Sequence, residues 1–176
     1  MKPFKRTYTK QEQKQFEFLS KNKLFSNLNK KEMQLFLPYL HLRLYQENEV
    51  VFFRNDPSQA LYLIKEGEVT LKLDINDRFE NITTIEKQAS FGNNALLPKA
   101  RRVYNAIVSS GFCEIYVIPQ VNMIFIFEGH ALIKSKMMQS LAEVFNTDFG
   151  RLLKAYQSTH GFFDLAEMFA NMEYGA

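Results

Sequence analysis

The chain has 176 residues, a mass of 20.7 kDa and a net charge of +3, which suits one domain with a full core plus a small helical piece and excludes two large domains. Hydrophobic residues at 46% and charged residues at 23%, with 17 Phe and 8 Tyr against 7 Gly and 5 Pro, exclude disordered and collagen-like classes. The most apolar stretch, Val121 to Phe127, falls far short of the roughly 20 residues that span a bilayer, and the N-terminus is too charged for a signal peptide. A cytoplasmic location with no membrane span is expected. The single cysteine, Cys113, excludes an internal disulfide or a multi-cysteine metal site and reads as a buried strand residue.

Residues 1–31 hold nine Lys/Arg against Glu12 and Glu17, a local charge of +7 that leaves −4 for the remainder. This basic helical arm, taken as residues 1–40, could meet nucleic acid, an anionic lipid surface or an acidic partner, or be a solvated helix face. Within it, Thr9-Lys10-Gln11-Glu12 reads as a capping box opening a helix over about 9–21. Asn29 with Glu32 repeats the pattern. Met33, Phe36, Leu37 and Leu40 then recur at helical spacing to about Tyr39–His41.

From 41 the period changes. Seven short runs rich in β-branched and aromatic residues follow, each bounded by turn residues: His41–Glu47, Val50–Arg54, Ala60–Lys65, Glu68–Asp74, Glu80–Glu86, Val103–Ser109 and Phe112–Ile118. Val69 to Leu73 alternates as a half-buried strand does. The spacing predicts a sandwich or small barrel over 41–130.

After Pro119 the helical period returns, first over Val121–Phe127 and then from about Ala131 to Tyr156. In the second, Met138, Ala142, Phe145, Phe149, Leu152 and Tyr156 step by 4, 3, 4, 3, 4, a seam suited to a homodimer or to packing of a final helix over 162–172. Gly150 is expected to bend or end that helix. The third segment is 131–176.

Two stretches carry a family resemblance. Val50-Val51-Phe52-Phe53-Arg54-Asn55-Asp56-Pro57-Ser58-Gln59-Ala60-Leu61-Tyr62-Leu63-Ile64-Lys65-Glu66-Gly67-Glu68-Val69, and Ser90-Phe91-Gly92-Asn93-Asn94-Ala95-Leu96-Leu97 with Arg101-Arg102-Val103-Tyr104-Asn105-Ala106, resemble the first strands and the phosphate-binding cassette of cyclic-nucleotide-binding domains. The likeness covers about 20–150 and is to the effector domain of catabolite-activator-type regulators. It implies a mainly β fold with flanking helices: a double-stranded β-helix, or jelly-roll-like β-roll, with N-terminal helices and a long C-terminal helix.

By that resemblance, Gly92 allows close approach, backbone N–H groups at Asn94 and Ala95 face a cyclic phosphate, and Arg102, with Arg101 as its adjacent alternative, pairs with it. Asn93 stands where the family's glutamate accepts the ribose 2′-hydroxyl. Exchanging a charged for a neutral acceptor lowers affinity by about 1–2 kcal/mol, roughly 5- to 30-fold. Asn105 stands near the base position. Family glycines are replaced by Asn48, Asn55 and Ala89, and Asn tolerates left-handed backbone. Apart from the resemblance, Asn93 and Asn94 also suit an ordinary helix N-cap, and Arg102 could be a surface residue paired with Glu86 or Glu114.

Other chemistry is not encoded. His41, His130 and His160 lie far apart with no ligand-spaced partners, and there is no nucleophile elbow, P-loop or dinucleotide fingerprint. The Asn81-Ile82-Thr83 sequon carries no meaning in a cytoplasmic protein. No enzyme activity, metal or resident cofactor is expected, only a cAMP or cGMP effector. With 20 residues after Tyr156, a winged helix-turn-helix does not fit, so DNA is not an expected partner. Two expectations result: a sensory module that binds a cyclic nucleotide or similar phosphate ligand weakly and signals through the C-terminal helix, or a degenerate fold that binds no nucleotide and is a scaffold for an unknown protein partner.

Overall fold

The structure is a computed structural model and describes residues 7–75 and 78–160. Residues 1–141 form one compact unit and 142–176 a second.

The first unit opens with α1 (Lys10–Lys21). The expected capping box is present: Thr9 Oγ1 accepts from the Glu12 N–H at 3.1 Å, while Glu12 Oε2 accepts from the Thr9 N–H at 2.8 Å. A second box at Asn29 and Glu32 opens α2 (Lys30–Met33). This helix is shorter than the apolar spacing implies, because Pro38 closes the segment as a 3-10 turn over Leu37–Tyr39.

Eight antiparallel strands follow: β1 (His41–Gln46), β2 (Val50–Phe52), β3 (Ala60–Glu66), β4 (Val69–Ile75), β5 (Arg78–Ile85), β6 (Ser90–Phe91), β7 (Asn105–Val108) and β8 (Phe112–Pro119). They form two four-stranded sheets, ordered β1-β8-β3-β6 and β2-β7-β4-β5. This is the expected β-roll with flanking helices. The strand missed by periodicity is β6, whose two residues are too few to show a period.

Both sheets supply one core. Phe52, Val69, Leu71, Ala106 and Val108 from one sheet join Tyr45, Ala60, Ile64, Phe91, Cys113, Ile115 and Val117 from the other. Cys113, Ile115 and Val117 alternate inward, as a period of two requires. Leu61 and Leu63 point the opposite way and are also buried, so β3 is covered on both faces. The outer cover includes α1, whose Phe18 ring meets Tyr116 of β8 edge-on at 5.2 Å. The Asn22 side chain ties the end of α1 to the turn before β6 by donating to Gln88 O at 3.0 Å.

The expected left-handed positions are Asn48 (φ 65°) and Asn55 (φ 69°). Near Ala89 the left-handed residue is its neighbour Gln88 (φ 69°). Cys113 is fully buried.

After β8, α3 (Gln120–Gly129) leads to α4 (Ala131–His160). Within the first unit α4 is joined to the N-terminal helices by the Lys136 to Glu32 ion pair at 2.7 Å and by Asn27 Nδ2 donating to Ser140 Oγ at 3.1 Å. Gly150 does not end α4, which continues helical through it, since one glycine costs only about 1 kcal/mol relative to Ala. Along the second unit Phe145, Phe149 and Leu152 are exposed. The expected helix at 162–172 lies outside the described residues. Among the described residues no helix is long and apolar enough to cross a membrane.

Candidate phosphate-binding site

The site is built where β6 ends. Gly92 leaves the strand with φ 66° and ψ 29°, and a 3-10 turn over Asn93–Leu96 follows. Only glycine takes this position comfortably, for two separate reasons. The conformation is left-handed, and a Cβ there would overlap Nη1 of Arg102.

Arg102 is the centre of the arrangement. It is 3% exposed, although arginine is almost never fully buried without a partner. Its Nη1 donates to Gly92 O at 3.1 Å and sits 3.4 Å from Asn94 Oδ1, while Nη2 donates to Ala60 O at 2.7 Å. The guanidinium carbon lies 4.2 Å from the Phe52 ring centroid and 5.3 Å from that of Tyr62, both within cation–π range. Among the described residues its buried Nε has no hydrogen-bond partner, and neither has Asn93 Oδ1. Burial pulls the guanidinium below its ordinary range, opposed chiefly by Tyr62 and Tyr104, yet an arginine stays charged. The expected alternative of a surface arginine paired with Glu86 or Glu114 does not occur. Glu114 pairs with Lys65.

Four aromatic rings complete the interior. Phe52 lies 5.5 Å from Tyr62, 5.8 Å from Phe91 and 5.8 Å from Tyr104, and Tyr62 stacks on Phe91 at 5.0 Å with an interplanar angle of 14°. The Tyr104 hydroxyl accepts the Gly92 N–H at 3.1 Å. Burial pushes the Tyr62 phenol above its ordinary value.

The residues expected from sequence divide into two groups. Gly92, Asn93, Asn94 and Arg102 come together. Asn94 Oδ1 accepts from Ser58 Oγ at 2.8 Å and its Nδ2 donates to Arg101 O, so its side chain fastens the turn to both flanking segments. The Ala95 N–H is engaged inside the turn, donating to Gly92 O at 3.0 Å. Arg101 is exposed and directs its Nη1 to Asn55 O at 2.6 Å.

Asn105 joins neither the Gly92–Arg102 cluster nor the ring cluster. On β7 the residues in step with the core are Ala106 and Val108, so Asn105 falls out of phase. Its Oδ1 accepts from the Arg54 N–H at 2.9 Å and its Nδ2 donates toward Lys72 O and Asp74 Oδ1 at 3.4 and 3.3 Å. The carboxamide is thereby used at both ends to join the end of β2 and β4 across β7.

Sequence reasoning did not single out Phe52, Ala60, Tyr62, Phe91 or Tyr104 as site residues. Tyr62 lies in phase with Ala60 and Ile64 on β3 and so faces the interior, a signal that period-two reading could have used.

Residues 42–130 match the Cyclic nucleotide-binding domain family. The chain is 31% identical over 85 residues, 48% of its length, to the Cyclic AMP receptor protein of Thermus thermophilus, of which the match covers 39%. Its fold resembles the regulatory domain of Toxoplasma gondii PKA solved with cAMP, at TM-score 0.62 and 18% identity over 69% of this chain and 46% of that one. It also resembles the N-terminal domain of a transcriptional regulator from Streptomyces coelicolor, at TM-score 0.65 and 15% identity over 74% of this chain and 94% of that one. The chain thus spans under half the length of the receptor protein and of the PKA chain. A β-roll of two four-stranded sheets, an arginine folded onto the glycine of its cassette, and a match over residues 42–130 of 176 place this chain in the cyclic nucleotide-binding domain family.

Proposed function

We propose that the β-roll is the receptor of a non-enzymatic regulatory module, binding a cyclic nucleotide or similar phosphate ligand at Arg102 and signalling through α4. The observation that carries the proposal is the buried Arg102 guanidinium, which among the described residues has an unpartnered Nε and neutral oxygens as its acceptors. An isolated buried charge costs several kcal/mol, and an oxyanion in the roll offsets that cost with charge-assisted hydrogen bonds. Without a ligand the charge is met by neutral oxygens and two ring faces, and no anion is hydrogen-bonded to it among the described residues. Affinity is expected to be modest, because Asn93 is a neutral acceptor.

The output runs through the helix. Phe145, Phe149 and Leu152 of the seam are exposed, Ala142 is exposed, and Met138 and Tyr156 are half-buried. A second copy pairing along that heptad-like stripe buries them, so a ligand that shifts α4 changes the dimer. A cytoplasmic location, where cyclic nucleotides are available, completes the reading.

Thermal melts of the full chain with cAMP, cGMP and cyclic dinucleotides at millimolar concentration test ligand binding. A ligand at 100 times its dissociation constant adds about 2.7 kcal/mol of stability, a melting shift of several degrees. A flat response to every compound would overturn the receptor reading. Sedimentation at tens of micromolar tests the dimer, and a monomer there would overturn the seam.

A further inference from the structure

We propose that Tyr104 is a built-in competitor for the ligand: its hydroxyl occupies the Gly92 N–H beside the Arg102 guanidinium, and it must swing out before an oxyanion can take that donor. The inference rests on the receptor reading above and names the residue that sets its affinity.

Three observations carry it. First, the Tyr104 hydroxyl oxygen accepts from the Gly92 N–H at 3.1 Å, while Arg102 Nη1 donates to the Gly92 carbonyl at the same distance. An oxygen atom of the protein therefore already sits next to the buried cation of the site. Second, the Tyr104 ring lies 5.8 Å from Phe52, whose ring is 4.2 Å from the guanidinium carbon, so tyrosine, phenylalanine and arginine form one continuous layer inside the roll. Third, Tyr104 is the ring of the layer that lies outside the strands. Phe52, Phe91 and Arg102 are buried, and Phe52, Tyr62 and Phe91 belong to β2, β3 and β6, whereas Tyr104 is half-buried in a bend just before β7. Its backbone belongs to no strand ladder, so a shift of the bend that carries the ring out breaks no ladder hydrogen bond. When it leaves, the Gly92 N–H joins the buried Arg102 Nε as a donor without a partner.

The competition has a defined sign. Removing the hydroxyl leaves the Gly92 N–H unsatisfied in the free protein and available to the ligand in the complex, so affinity rises by about one neutral hydrogen bond, roughly 2- to 12-fold. A tyrosine that merely supports the site would lower affinity when altered.

The test is calorimetric titration of the full chain with cAMP for wild type, Tyr104→Phe and Tyr104→Ala, with amide exchange at Gly92. Tyr104→Phe keeps the ring and the fold. The expected result is cAMP binding about 2- to 12-fold tighter in Tyr104→Phe, with Gly92 exchange faster in the free variant and slowed again by cAMP. Tyr104→Ala, which also vacates the ring volume, should bind at least as tightly as Tyr104→Phe if it folds. Unchanged or weaker binding in Tyr104→Phe, with wild type binding normally, would overturn the competitor and leave the receptor reading intact. Absence of binding in wild type and both variants would overturn the receptor reading itself, and the competitor with it.

Discussion

Arg102 and Gly92 hold each other: the guanidinium donates to the Gly92 carbonyl at 3.1 Å, and the absence of a side chain on Gly92 is what lets it approach. The glycine supplies the left-handed turn and the space, and the arginine supplies the charge that gives the site its chemistry.

Replacing Gly92 by Ala therefore adds a Cβ where Nη1 stands and imposes a left-handed conformation on an alanine. A cost of about 1–3 kcal/mol is expected. Urea unfolding of Gly92→Ala measures it, and a loss under about 0.5 kcal/mol would mean that the turn relaxes freely.

The two capping boxes open α1, which covers the roll, and α2, which is tied to α4. Thr9→Ala removes the acceptor of the Glu12 N–H and should lower stability by about 0.5–2 kcal/mol. The check is chemical unfolding monitored by circular dichroism. An unchanged midpoint would show that α1 is held by packing alone.

Acid should loosen the α2 to α4 contact. The Lys136 ammonium, then the Asn29 N–H, hold the Glu32 carboxyl below its ordinary value near 4.5. With the folded pKa depressed, the stabilisation is fully present above that value and is lost as pH falls through the lower folded one. The stability difference between wild type and Glu32→Gln should thus be constant near neutrality and shrink as pH drops below about 4.5. A difference independent of pH would contradict the role of the ion pair.

Cys113 offers a probe of the core. It is fully buried in β8, and burial pushes its thiol up to about 11. The thiolate is the reactive form, so a disulfide reagent at about pH 8 should leave the folded protein unmodified and react at once in denaturant. Rapid reaction of the native protein would show that the β8 face of the core opens readily.

Much of the fold is legible in the sequence because its signals are local. Thr9 with Glu12 and Asn29 with Glu32 declare helix starts within four residues, and Val69 to Leu73 alternates by itself. The family likeness names Gly92 and Arg102 together from the residues of the cassette alone, and the two are joined by a hydrogen bond. The features that stay hidden depend on distant neighbours. Burial of Arg102 follows from Phe52, Tyr62 and Ala60 on other strands, and no feature of residues 101–106 announces it. The face Asn105 takes is fixed by one step of strand phase, which Ala106 and Val108 set. Pro38 shortens a helix whose apolar spacing reads on through it.

The most direct measurement of the central claim is the cAMP affinity of the full chain compared with Arg102→Lys and Arg101→Ala by calorimetric titration. Lysine keeps the charge but loses the fork that grips phosphate, so Arg102→Lys should bind roughly 10- to 150-fold more weakly, the value of a hydrogen bond to a charged group of about 1.5–3 kcal/mol. Arg101, exposed and turned to Asn55, should be replaceable within about 2-fold, well under the roughly 1.4 kcal/mol of a tenfold change. Equal affinity in wild type and Arg102→Lys, or a loss confined to Arg101→Ala, would contradict Arg102 as the phosphate anchor.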